Sequence, residues 1–271
     1  MSERQPQVLD LEKIIRTRAG SKSKYIPQFL IRWIKNLVHE DFINGFLKEG
    51  YVGVEFCEKS LDYLGVEIEV KGLENLPKDG RVYTFASNHP LGAIDGVTLG
   101  ALIGRQYDGK VKYLLNDLLM NLKGMAPLGI PINKIGNQAR NLPKLIDEAF
   151  RSDNQMLVFP AGLCSRKIDG KIQDIAWSKA FVTKSRQTKR DIIPIHFEGE
   201  NSKRFYRIAS LQKKLGLKFN IAMLLLPDEM YRSTGRKYTI TFGKPISIES
   251  LDTSKTDSEW AQIIRNTVYE L

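Results

Sequence analysis

VYTFASNHPLGAIDG, residues 82–96, reads as a buried strand that ends on a histidine and then turns sharply. VYTFA is short and largely apolar, as a strand covered on both faces is. Pro90 steers His89 away from helical dihedrals, which leaves the histidine at the strand's end. Asp95 follows six positions later. On one continuous helix, at about 100° per residue, two residues six apart lie on well-separated faces. They meet only if the chain bends between them, and Gly92 permits that bend. The carboxylate would then fix the imidazole tautomer and stabilise the imidazolium, leaving the other ring nitrogen to take a proton. A capping aspartate beside a structural histidine would give the same letters.

Outward from this stretch the pattern repeats. GVEIEVKG (65–72) alternates like a half-buried strand, and VKYLL (111–115), QMLVF (155–159), IIPIHF (192–197) and KYTITF (237–242) are further strands. Helices are expected between them at 95–105, 138–151, 176–187 and 203–215, with a last one from about Thr256. The rhythm predicts an α/β fold, a mixed sheet flanked by helices. Before it, VLDLEKIIRTR contains a short helix, and QFLIRWIKNLVHEDFINGFL (28–47) is an amphipathic one. Trp33 between Arg32 and Lys35 suits an interfacial membrane helix, and equally a helix with its Trp in the core. The expected division is a helical, membrane-associating segment at 1–64, a main domain at 65–250 and a C-terminal helix at 251–271.

The formal net charge is +10 over 271 residues. Residues 179–218 carry eleven Lys/Arg against Asp191, Glu198 and Glu200. Such an excess suits an anionic partner: a membrane surface, a phosphorylated substrate or nucleic acid. The N-terminus lacks the apolar core of a secretory signal, and no apolar run reaches the ~20 residues of a transmembrane helix. Cys57 and Cys164 fit neither a metal spacing nor a disulfide framework. No HExxH motif or Cys/His cluster is present, so no metal is implied.

Two further segments have chemical content. LVFPAGLCSRK (157–167) is a buried strand ending at Pro160, with a Gly-containing loop that presents Arg166 and Lys167. A forked guanidinium at a strand's end suits a phosphate or a carboxylate. GIPINK (129–134) precedes a helix, and Lys134 could bind an anion beside its N-terminus. Gly129 and Gly136 are not a Walker motif, because Asn137 follows Gly136.

Taken in order, the three segments resemble the blocks of the PlsC-like glycerolipid acyltransferase family. NHPLGAID resembles its NH-x-D block, GIPINK its second block and FPAGLCSR its third, with Pro194 where the fourth is expected. The resemblance spans about residues 66–250 and is closer to the hemolysin-like branch, which includes O-acyltransferases of ornithine and glycine lipids. It implies direct acyl transfer from a thioester, acyl-ACP or acyl-CoA, to the hydroxyl of a lyso-lipid, with no bound cofactor. His89 and Asp95 would be catalytic. Asn88, Gly129, Asn133, Lys134, Pro160, Gly162, Ser165 and Arg166 would line the substrate site. Arg166 and Lys134 would hold an anionic head group or the phosphopantetheine arm, and N–H groups of the Gly-containing turns the oxyanion. The enzyme would lie on the cytoplasmic face of the membrane. Two departures stand out. The common His-x4-Asp spacing is here His89-x5-Asp95, and the acid that usually follows Phe-Pro is Ala161. The latter puts lysophosphatidic acid in doubt as acceptor. The rival readings are a non-catalytic lipid-binding protein and a basic nucleic-acid binder. The second lacks any recognisable nucleic-acid motif.

Overall fold

The computed structural model describes residues 4–132, 137–216 and 221–271. Its helices are α1 (Leu11–Ala19), α2 (Gln28–Leu37), α3 (Glu40–Leu47), α4 (Val54–Leu64), α5 (Ile94–Gln106), α6 (Asp117–Met120), α7 (Asn137–Arg151), α8 (Ala180–Thr188), α9 (Lys203–Lys214), α10 (Leu226–Arg232) and α11 (Asp257–Glu270). The strands are β1 (Glu67–Lys71), β2 (Thr84–Ser87), β3 (Val111–Asn116), β4 (Gly129–Ile132), β5 (Gln155–Val158), β6 (Arg166–Ile168), β7 (Lys171–Gln173), β8 (Ile192–Glu198) and β9 (Lys237–Phe242).

Seven strands form one sheet in the order β1-β9-β8-β2-β5-β3-β4. Among the described residues, β8 and β9 are the one strand pair in it that runs antiparallel. β6 and β7 make a separate hairpin. The expected mixed sheet is present, and periodicity did not mark one of its strands, β4, or the β6–β7 hairpin. β4 lies in GIPINK, whose proline and glycine disguise it. β6 and β7 are three residues each, too short for a pattern.

Alternation along the strands divides the core into two layers. Tyr83, Phe85, Leu157, Ile193 and Ile195 pack with Ile94, Leu99 and Ile103 of α5 and Phe56 and Cys57 of α4. Ala86, Met156, Val158 and Ile192 face the other way, onto Phe150 of α7, Phe181 and Val182 of α8, and Ile264 and Val268 of α11. α11 opens with a capping box, in which Thr256 and Glu259 satisfy each other's backbone N–H groups. A third, smaller cluster joins Cys164 to Phe205, Tyr206 and Ala209 of α9 and to Leu225.

The single helix expected over 28–47 is two. His39 sits between α2 and α3 in the left-handed region at φ 55°. Its Nε2 lies 2.9 Å from Asp228 Oδ1, and its ring stacks on Tyr231 at 3.9 Å between centroids. Asp228 is buried and also pairs with Arg204 and Arg232. The long-range pin therefore breaks a helix that local periodicity would continue. Phe29 and Trp33, one turn apart on α2, are 74% and 57% exposed, so this Trp is not a core residue.

Candidate active site

β2 and β5 run parallel, with Ala86 opposite Val158. Their carboxyl ends therefore lie side by side, bringing Asn88-His89-Pro90 against Phe159-Pro160 at the sheet edge where α/β proteins commonly place their sites. The Phe159 ring stacks on the His89 imidazole at 4.1 Å between centroids and 28° between planes. His89 Nδ1 is 2.9 Å from Asp95 Oδ2, so Nε2 is the ring nitrogen left for a reacting group.

The bend between the two residues is built around the carboxylate. Asp95 lies in the first turn of α5, fully buried. Its Oδ2 also accepts from the N–H groups of Leu91 (3.0 Å) and Gly92 (3.1 Å), and its Oδ1 from Gly96 (2.9 Å). Gly92 has φ +85°, and a Cβ there would lie 2.4 Å from Cys164 Sγ and 3.0 Å from Leu226 Cδ2. Conformation and space both demand glycine. Burial alone would raise the Asp95 pKa, but the charge and hydrogen bond of His89 and the two N–H groups outweigh it and hold it below the usual value. For His89, burial disfavours the cation, yet the charge and hydrogen bond of Asp95, with Asp174 behind, leave its pKa raised. The pair is an imidazole held by a charged carboxylate in a largely dry setting.

The structure sorts the other expected residues. Asn88 is buried, and its amide spans to β8: Nδ2 donates to Phe197 O (2.9 Å) and Oδ1 accepts from Phe197 N (2.8 Å). It fixes the chain entering His89 and is placed as a brace between strands. Ser165 is buried too. Its N–H donates to His89 O (2.7 Å) and its Oγ to Asp174 Oδ1 (2.6 Å). Pro160 O accepts from Ser178 N, and Gly162, at φ +69°, closes a turn through its N–H to Phe159 O. The N–H groups of Gly92 and Gly162 donate to Asp95 Oδ2 and Phe159 O. Arg166 turns Nη1 to the carbonyls of Cys164 and Ser165, with its guanidinium 5.5 Å from the Phe205 ring centroid. It stays near enough for its charge to oppose the imidazolium. Gly129 opens the edge strand β4, three places from β2 in the sheet order, and a Cβ there would lie 2.5 Å from Met120 Sδ. Asn133 and Lys134 lie outside the described residues.

Burial pushes the Cys164 thiol up to about 12, which removes it as a nucleophile at neutral pH. Among the described residues no group of three His, Cys, Asp or Glu side chains could hold a metal. The sequence reading missed Phe159 as the plate under the imidazole and Asp174 as a second carboxylate beside His89. Asp174 stands between isoleucines two residues away on one side and one on the other, with no spacing that points to His89.

The family model described as "Acyltransferase" matches residues 13–271. The lyso-glycine lipid O-acyltransferase of Bacteroides thetaiotaomicron is 54% identical over 266 residues, 97% of this chain and 97% of that one. The lyso-glycine lipid O-acyltransferase of Phocaeicola vulgatus is 53% identical over 266 residues, 97% and 95%. The crystal structure of the 1-acyl-sn-glycerophosphate (LPA) acyltransferase PlsC from Thermotoga maritima superposes with a TM-score of 0.50 at 15% identity, covering 95% of this chain and 86% of that one, a likeness of fold. With a histidine–carboxylate pair at the strand ends and a family match running almost from end to end, the chain belongs to the acyltransferase family.

Proposed function

We propose that this acyltransferase moves a fatty acyl group from a thioester, carried by acyl carrier protein or coenzyme A, onto the hydroxyl of a lyso-amino-acid lipid. The observation that carries the reading is the His89 Nδ1–Asp95 contact, which leaves Nε2 as the proton acceptor. The acceptor oxygen loses its proton to Nε2 as it attacks the thioester carbonyl. The tetrahedral oxyanion then collapses, the C–S bond breaks, and the thiolate takes the proton back from the imidazolium. An ester and a free thiol result.

The lyso-glycine acceptors named for the two relatives favour an amino-acid lipid. So does Ala161, which is buried in the apolar cluster with Trp177 and Phe181. A carboxylate there would lack the polar surroundings a charge needs. Without it, no negative charge repels an acceptor carboxylate, and the Arg166 fork suits such a group. In competition for one acyl thioester, a lyso-glycine lipid should be used with the higher kcat/KM than lysophosphatidic acid. A clear preference for lysophosphatidic acid would reject this acceptor and leave the transfer chemistry standing.

The same reading puts the enzyme on the cytoplasmic, anionic face of a membrane. Phe29, Leu30 and Trp33 are exposed on α2 beside Arg32, and among the described residues no helix is long and apolar enough to cross a membrane. Trp33→Glu should lower binding to anionic vesicles by roughly tenfold or more, since an exposed indole that would enter the lipid is replaced by a charge. Unchanged binding of this variant, or complete membrane retention of the enzyme through both high salt and alkaline carbonate, would contradict it.

A further inference from the structure

Asp174 follows the β6–β7 hairpin and is 1% exposed, so no substrate reaches it. Its Oδ1 accepts from Ser165 Oγ (2.6 Å) and from the His89 main-chain N–H (3.3 Å), and its Oδ2 from Trp177 Nε1 (2.9 Å). Ser165 closes the ring, because its own N–H donates to His89 O (2.7 Å). Both polar atoms of the His89 backbone are thus held by one carboxylate and the serine bound to it. The C-terminal helix holds Asp174 in turn. Its N–H donates to Tyr269 Oη (2.8 Å), and its carbonyl accepts from Arg265 Nη2 (2.7 Å).

We propose that Asp174 is a positioning residue for acyl transfer: with Ser165 it locks the His89 backbone, and α11 locks Asp174, so that the imidazole keeps its aim. The assignment rests on His89 being the base. A side chain's direction follows from its own backbone, and Asp95 constrains only the ring. A carboxylate that grips the His89 peptide N–H supplies the second constraint. A misplacement of about 1 Å in a reacting group costs up to ~10²-fold in rate.

The charged groups facing the imidazole are Asp95 from α5, Asp174 after β7, and Arg166 from β6. Asp174 therefore also favours the imidazolium, and its loss has a sign. Asp174→Asn keeps the shape, but turns one N–H₂ toward a donor and removes the charge. It should lower kcat by on the order of 10–100-fold with KM for the lyso-lipid nearly unchanged. The acid limb of kcat/KM should also move to lower pH, because the base loses its proton more easily. Tyr269→Phe removes the hydroxyl that accepts the Asp174 N–H and that also meets the Ser165 side chain, and it leaves the Asp174 charge in place. It should lower kcat roughly three- to tenfold and leave the acid limb in place, since the charge remains. Circular dichroism and thermal unfolding check that each variant is folded. A folded Asp174→Asn enzyme with wild-type kcat, or with the acid limb unmoved, overturns the proposal. If that variant does not fold, wild-type kcat in Tyr269→Phe overturns it. His89→Ala is assayed alongside: activity in that variant refutes the base assignment itself, whereas an inert His89→Ala beside a normal Asp174→Asn refutes only the role of Asp174.

Discussion

Acyl transfer falls by at least ~10²-fold when His89 is replaced by alanine, the low end of what a positioned general base contributes. The fold should survive, because the imidazole is a plate on Phe159 at the rim of the sheet and its side chain is 16% exposed. Asp95→Asn should impair turnover comparably for two reasons. The amide cannot stabilise the imidazolium as a carboxylate does. It also sets an N–H₂ where three backbone N–H groups and the imidazole now converge, at Leu91, Gly92, Gly96 and His89. The pH profile adds a sign. The His89 pKa is raised from its ordinary 6.5, and only the neutral ring accepts a proton. The acid limb of kcat/KM should therefore lie above pH 6.5 in the native enzyme and fall in Asp95→Asn, which lacks the charge that favours the cation. Near-normal turnover in well-folded His89→Ala would refute the mechanism.

Arg190→Ala should cost ~4 kcal/mol of stability, lowering Tm by roughly 10 °C, without any contact to the active site. Arg190 is 1% exposed and has no carboxylate among its hydrogen-bond partners. Its guanidinium instead serves four carbonyls: Phe150 from Nε (2.8 Å), Asn154 (2.7 Å) and Tyr83 (3.3 Å) from Nη1, and Ser152 from Nη2 (2.7 Å). Phe150 lies in the last turn of α7 and Ser152 directly follows the helix, where carbonyls lack helical partners and the helix dipole favours a cation. Burial lowers the Arg190 pKa to about 10, so it stays charged at neutral pH. Alanine leaves a void and four carbonyls without this donor, and both terms destabilise. Urea unfolding measures the difference through the transition midpoint. A loss under ~1 kcal/mol would show that water or relaxation replaces the guanidinium.

Much of the candidate site's His89–Asp95 corner was legible because its signals are local. A strand buried on both faces, a proline after the histidine and a glycine before the aspartate are all contained in 82–96, and the bend they imply is the one observed. The sheet strands at 84–87, 155–158 and 192–198 were marked by apolar runs that their burial requires. Neighbouring strands were not readable, since nothing in β2 says that β5 lies on one side and β8 on the other. That order decides which strand ends meet at His89. Phe159 reaches it because β5 is parallel to β2, and Asn88 is spent on Phe197 because β8 is the other neighbour. Asp174 is 85 residues away in sequence and Tyr269 another 95. The residues 28–47 have the periodicity of one helix, yet His39 ends it to reach Asp228, 189 positions on. Periodicity and turn chemistry act over a few residues and are written into the sequence. Contacts across such separations depend on which surfaces bury each other, and only the packed chain decides that.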